Sequence, residues 1–213
     1  MRSAEFVWIA GGDQSDYLNK WSGTLVQSAL QHVHDKGAVI GGASAGMALL
    51  SEFIYDPDGV LGAESDQVVT DYCHDSINFS AGIVNIPVLR HSINDSHFYE
   101  RNRMGRLLVF MTHQANNIIG IAASEATSLF VTSDGLGIVD GSYEVYITKE
   151  TSSTDRLQVS CGQAVIYNFV SRIRLTSGDT YNFNTGNHTG DATEISIDGR
   201  TTDYYTPVDP YLP

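Results

Sequence analysis

Apolar positions along the chain follow two periods, and the change from one to the other divides it. Up to about residue 140, short continuous apolar runs alternate with helical spacing. Phe6-Val7-Trp8-Ile9 forms the body of a strand over 5–10 that ends in Gly11-Gly12-Asp13-Gln14. Leu25, Ala29, Leu30 and Val33 recur at helical spacing, and Gly37 is placed to cap a helix over 25–36. Ala38-Val39-Ile40 predicts a second buried strand, and a helix opens at Ala45 and runs to about Leu50. Residues 5–50 therefore read as a right-handed βαβα unit. Residues 52–80 are loop-rich, with Asp56-Pro57-Asp58-Gly59 as a turn. After a short apolar stretch over 84–88, Asn94-Asp95-Ser96 offers caps for a helix over about 97–110, with Met104, Leu107, Leu108 and Phe110 as its apolar positions.

The unbroken apolar run over 118–122 fits a strand covered on both faces. Residues 129–131 and 136–139 predict a hairpin around Ser133-Asp134-Gly135. From Ser142 the period becomes two. Tyr143, Val145 and Ile147 mark one strand, and Val165, Tyr167 and Phe169 the next. Ile173 with Leu175, and Ile195 with Ile197, mark two more. The tail from Thr201 is polar, carries prolines and reads as irregular.

The expected fold class is α/β. A mostly parallel, doubly wound sheet with flanking helices occupies 1–140, and an antiparallel β-rich part, 141–213, extends the same domain. A doubly wound sheet usually carries several strands before a turn such as that at Ser44, and here only one βα step precedes it. Either the sheet is small or, as expected here, N-terminal strands are missing from this chain.

Composition narrows the classes. At 213 residues and 42% hydrophobic, the chain is long enough for one domain with its own core. A net charge of −13 argues against a nucleic-acid partner. No apolar run is long enough to span a membrane, and no signal-peptide core is visible. No membrane partner is expected. The compartment reads as cytoplasmic if the chain is complete, and as secreted if a segment is missing from its N-terminus. Two cysteines, Cys73 and Cys161, are too few for a disulfide scaffold or a structural zinc site. Two lone buried thiols fit better than one long-range disulfide.

The chemistry centres on Gly42-Ala43-Ser44-Ala45-Gly46, a G-x-S-x-G at a strand-to-helix turn. Such a turn lifts the serine hydroxyl above the sheet edge, and small neighbours admit a substrate carbonyl. The motif alone leaves a glycine-rich junction without chemistry equally open. A nucleophilic serine needs a base, and the base an orienting acid. Of seven histidines, His97 stands out. It lies in Asp95-Ser96-His97-Phe98, just ahead of Arg101, Arg103 and Arg106. Arginine clusters suit bidentate capture of carboxylates, although a salt-bridged surface helix is the more common use of such a run.

Together, Gly11-Gly12-Asp13-Gln14, the Ser44 motif, Asp95-Ser96-His97-Phe98 and Arg101-x-Arg103-x-x-Arg106-Leu107, in this order, resemble the cyanophycinase-like members of the S51 serine peptidases. The run over 120–127 resembles the segment that carries their third catalytic residue. The resemblance implies a sheet of the class I glutamine amidotransferase type. It implies Ser44 as nucleophile, His97 as general base and Glu125 as orienting acid. The N–H groups of Gly12 and Ala45 would form the oxyanion hole. Gln14, Asp95, Arg101, Arg103 and Arg106 would line the substrate pocket, with Asp95 suited to a substrate guanidinium. Glu64 is a reserve acid, better read as a solvated loop carboxylate. The family's partner is a peptide substrate, cyanophycin (an aspartate backbone with arginine side branches), cut to β-Asp-Arg dipeptides. No cofactor or metal is implied, and a homodimer is a family expectation. Ser96 stands where cyanophycinase has glutamine. Two other readings remain: a peptidase for other aspartyl or isoaspartyl peptides, and a truncated relative that only binds them.

Overall fold

Strand β1 (Phe6–Ile9) turns at Gly11-Gly12 into helix α1 (Gln14–Trp21), in a computed structural model that describes residues 1–59, 61–114 and 116–213. Helix α2 (Leu25–Asp35) follows, capped by the Thr24 hydroxyl, and leads to β2 (Val39–Gly42), which pairs parallel to β1. The short helix α3 (Ala45–Ala48) starts directly after Ser44. Helix α1 is not foreseen by apolar periodicity, because it buries little beyond Leu18 and Ser15. Its local signal is Asp13, whose side chain accepts from the Ser15 N–H as an N-cap does.

Next come β3 (Phe53–Tyr55), α4 (Ser65–Thr70), β4 (Phe79–Ala81), β5 (Ser92–Ser96), α5 (Met104–Thr112) and β6 (Ile119–Ala123). The stretch over 84–88 leads into a single 3-10 turn, Pro87–Leu89. The expected helix over 97–110 is shorter at its start. Asn94-Asp95-Ser96 belongs to strand β5, and the helix begins at Met104. The reason is chemical: β5 is buried through polar side chains with dedicated partners, which apolar periodicity does not register.

The C-terminal strands are β7 (Thr127–Val131), β8 (Leu136–Gly141), β9 (Val145–Lys149), β10 (Asp155–Gln158), β11 (Ile166–Leu175), β12 (Thr180–Asn182), β13 (Asp191–Asp198) and β14 (Tyr205–Thr206). Among the described residues, one large sheet runs β14-β13-β11-β9-β6-β5-β3-β4, with β10 on β11. It is mixed rather than mostly parallel. β3, β5 and β6 are parallel, while β9 pairs antiparallel to β6, β11 to β9 and β13 to β11. After β6 no helix crossover follows among the described residues: strands of the separate β7-β8-β12 sheet, or β10, lie in sequence between β6, β9, β11 and β13, which join antiparallel.

Alternation sets the two faces of this sheet. Leu107, Leu108, Phe110 and Met111 of α5 pack with Ile93, Ala122, Tyr146, Tyr167 and Ile195 on one. Ile121, Val145, Ile147, Ile173 and Leu175 face the other, under Val139 and Tyr181 of the β7-β8-β12 sheet. Every residue of α5 is buried, which fixes its N-terminus, and the arginines around it, against the sheet.

The cysteines form a disulfide, Cys73–Cys161, not two lone thiols. Two backbone bonds bring their loops together: Tyr72 N–H to the Gln163 carbonyl (3.1 Å) and Val165 N–H to the Val69 carbonyl (2.8 Å). The bridge spans 88 residues of sequence. Chain-entropy reasoning puts the loss on replacing both cysteines with serine at about 3–5 kcal/mol. Urea unfolding of the double variant is expected to show it; an unshifted midpoint would contradict it.

Candidate active site

Ser44 is held at φ 52°, ψ −117°, a backbone state that non-glycine residues rarely adopt. Its glycine neighbours explain how the turn closes. A Cβ on Gly46 would lie against the carbonyl oxygen of Ile9, and one on Gly42 against the backbone of Gly46. The Ala43 N–H continues the β1–β2 ladder to the Ile9 carbonyl (3.1 Å), so the serine leaves the sheet at its carboxyl edge.

His97 follows the last residue of β5, and Glu125 lies just past β6; these strands are paired neighbours, with Ser96 opposite Ala123. That pairing brings residues 28 apart in sequence together. The Ser44 hydroxyl meets His97 Nε2 at 2.9 Å, and His97 Nδ1–H donates to Glu125 Oε1 at 2.7 Å. His97 (φ 48°) and Ala126 (φ 51°) share the left-handed region with Ser44. Strain of this kind, gathered at one place, marks sites whose geometry is over-determined. Glu100, which sequence reasoning does not single out, accepts the backbone N–H of Glu125 at 3.0 Å and steadies that turn. No local motif announces it.

A cavity of about 280 Å³ opens beside Ser44. Gly12, Gln14, Ala45, Asp95, Arg101, Arg103 and Arg106 all line it, together with Asp13, Tyr55 and Asn94. Neither the Gly12 nor the Ala45 N–H has a protein acceptor among the described residues. Gln14 Nε2 donates to the Tyr55 carbonyl (2.9 Å). Glu64 is exposed and outside the lining, as a solvated carboxylate.

The arginines divide by environment. Arg106, 5% exposed, places Nε and Nη2 on the two Asp95 oxygens (2.7 and 2.5 Å) and Nη1 on the Ala63 carbonyl (3.0 Å). Burial disfavours its charge, but attraction and hydrogen bonds from Asp95 more than offset this and hold its pKa above the usual arginine value. Arg103 reaches the Ser96 carbonyl (2.6 Å) and only one Asp95 oxygen, at 3.3 Å. Burial draws its guanidinium down to about 10, with Asp95 opposing. Arg101 is exposed at the rim.

Asp95 lines the cavity as expected, but its carboxylate is already engaged: Oδ1 accepts from Arg106, Arg103 and the Ser96 N–H, and Oδ2 from Arg106 Nε. Three guanidiniums meet two carboxylates, Asp13 and Asp95, in the lining, and the under-compensated group is Arg103. Such a cavity favours a carboxylate ligand. Among the described residues, no group of three or more His, Cys, Asp or Glu side chains converges as a metal centre would require.

Comparison with known proteins agrees with this picture at the level of family. Cyanophycinase of Synechococcus elongatus is 28% identical over 183 residues, covering 84% of this chain and 53% of the relative. Cyanophycinase of Trichormus variabilis is 29% identical over 149 residues, covering 70% and 46%. The chain spans about half the length of these curated relatives. A crystal structure of a peptidase from an acI-B1 Actinobacterium shares the fold, with TM-score 0.53 at 16% identity, over 85% of this chain and 60% of that one. The sequence model of peptidase family S51 matches residues 1–139. The chain belongs to peptidase family S51.

Proposed function

We propose that this site hydrolyses peptides at aspartyl residues through a serine acyl-enzyme, with cyanophycin as the preferred substrate class. The observation that carries the reading is the Ser44–His97–Glu125 relay beside a cavity with arginines in excess.

The geometry supports the following steps. Ser44 Oγ attacks the scissile carbonyl carbon while His97 Nε2 takes its proton. Glu125 keeps Nδ1–H in place and stabilises the imidazolium. The carbonyl oxygen gains charge and turns toward the N–H groups of Gly12 and Ala45, at the start of α3. Collapse breaks the C–N bond, and the leaving amine takes the proton from His97. Water then repeats the sequence on the ester and frees Ser44. Meanwhile Arg103 and Arg101 hold the substrate carboxylate.

Two substrate classes compete within this chemistry. The second reading, small aspartyl or isoaspartyl peptides, draws support from the engagement of Asp95 by two arginines, which weakens it as a partner for arginine branches. Incubating the chain with purified cyanophycin and with a short isoaspartyl peptide separates them. Release of β-Asp-Arg from the polymer, lost in Ser44→Ala, supports the first reading. Cleavage of the isoaspartyl peptide alone moves the assignment to the second. Binding of the polymer without any cleavage by the wild-type chain sinks both.

A further inference from the structure

The N-terminus of α5 is capped in an unusual way. Its N-cap residue is Arg103, which makes no side-chain cap bond. That side chain is turned instead to Ser96 and Asp95 at the cavity. A helix start normally places Ser, Thr, Asp or Asn there, and the orphan N–H groups need acceptors from somewhere.

Three hydroxyls from distant parts of the chain supply them. Met104 N–H donates to the Tyr211 hydroxyl (3.0 Å), Gly105 N–H to the Tyr205 hydroxyl (2.8 Å) and Arg106 N–H to Ser65 Oγ (3.1 Å). Both tyrosine hydroxyls in turn donate to Asn102 Oδ1, at 3.3 Å from Tyr205 and 3.1 Å from Tyr211. Asn102 is itself at φ 47°, between Arg101 and Arg103.

The segment carrying these tyrosines is anchored independently. Arg172, fully buried, donates through Nη1 to the carbonyls of Pro210 (2.9 Å) and Leu212 (2.6 Å). The Tyr146 hydroxyl donates to the Tyr211 carbonyl (3.2 Å), and the Tyr211 ring meets Phe98 and Tyr99 edge-on. A buried arginine without a carboxylate is costly. Its presence here fixes backbone carbonyls of a segment that composition alone presents as loose.

We propose that residues 205–212 act as a positioning clamp for the cavity. The hydroxyls of Tyr205 and Tyr211 supply the N-cap acceptors that the Arg103 guanidinium, a donor only, cannot, and they hold Arg101, Arg103 and Arg106 in register with Ser44 and His97. Tyr205 and Tyr211 are positioning residues: they touch the arginine-bearing turn, not the substrate. The inference rests on the carboxylate-binding reading of the cavity and names what aligns it.

The test uses Tyr205→Phe/Tyr211→Phe, which deletes two hydroxyls and keeps both rings. N-acetyl-aspartate, a dicarboxylate, is titrated calorimetrically against wild type and variant. The rate of Ser44 labelling by a fluorophosphonate is followed in parallel, since it needs the relay but not the arginines. Tyr167→Phe, which removes a remote hydroxyl bond to Glu150, serves as the packing control. The expected result is a loss of about tenfold in N-acetyl-aspartate affinity, as for a misaligned charge-assisted hydrogen bond. Labelling should stay within about twofold of wild type, and the control should bind normally. Equal affinity in the double variant and wild type overturns the clamp. So does a fall in labelling that matches the fall in affinity, or a control that loses affinity equally, because either denotes general loosening. If the wild-type chain itself takes up no N-acetyl-aspartate, the carboxylate reading has failed, and the clamp falls with it.

Discussion

Replacing Ser44 with alanine is expected to lower turnover of an aspartyl peptide by about ten-thousand-fold or more, as in other serine relays. The hydroxyl forms the only bond to carbon in the proposed sequence, so nothing in the site substitutes for it. Substrate affinity should hardly change, because in the proposed reading the arginines and not the serine carry binding. His97→Ala should fall to a similar level, since the hydroxyl without its base is a weak nucleophile. The double variant should then be no worse than either single one, because the residues act as a unit. Steady-state kinetics on all three, with binding measured separately, checks this. Additive losses would mean that Ser44 and His97 act in different steps.

The second large effect is on stability. Asp95→Ala leaves the Arg106 guanidinium, 5% exposed, without the partner of its Nε and Nη2 groups. Removing one member of a buried pair typically costs about 3–5 kcal/mol, because the other charge stays in a poor solvent. Here Arg103 loses its carboxylate as well. The loss should appear in urea unfolding even without substrate. A change below about 1 kcal/mol, the scale of exposed ion pairs, would show that the cluster is more hydrated than its burial indicates. Asp95→Asn should be milder in packing but still weaken the arginines' alignment.

Much of this arrangement is legible in the sequence where apolar pattern and chemistry coincide. The unbroken run ending at Ala122 gives β6, and Val145/Ile147 gives β9, whereas the alternations of Val165/Tyr167/Phe169 and Ile173/Leu175, expected as two strands, fall in the single long strand β11 or at its start. The Ser44 turn is legible because only glycine fits at positions 42 and 46. Legibility fails where burial is polar. Asn94-Asp95-Ser96 looks like a cap and belongs to a central strand, since Asn94 and Asp95 are buried through bonds to Met47 and the arginines. The tail fails for the same reason. Tyr205 and Tyr211 sit among polar residues and prolines, and their hydroxyls find partners about a hundred positions earlier. The disulfide likewise depends on loops that only the sheet brings together. Exposed apolar residues add one more feature that local pattern does not settle. Phe6 and Trp8 stack on the outer face of β1, 59% and 57% exposed, beside Val39.

Labelling with a fluorophosphonate, read by peptide-level mass spectrometry, puts the least between the claim and the answer. The relay at Ser44 predicts one adduct, on the peptide that contains that serine, with its formation slowed about a thousandfold in His97→Ala. An adduct elsewhere, no adduct, or one that forms equally fast without the imidazole would contradict it.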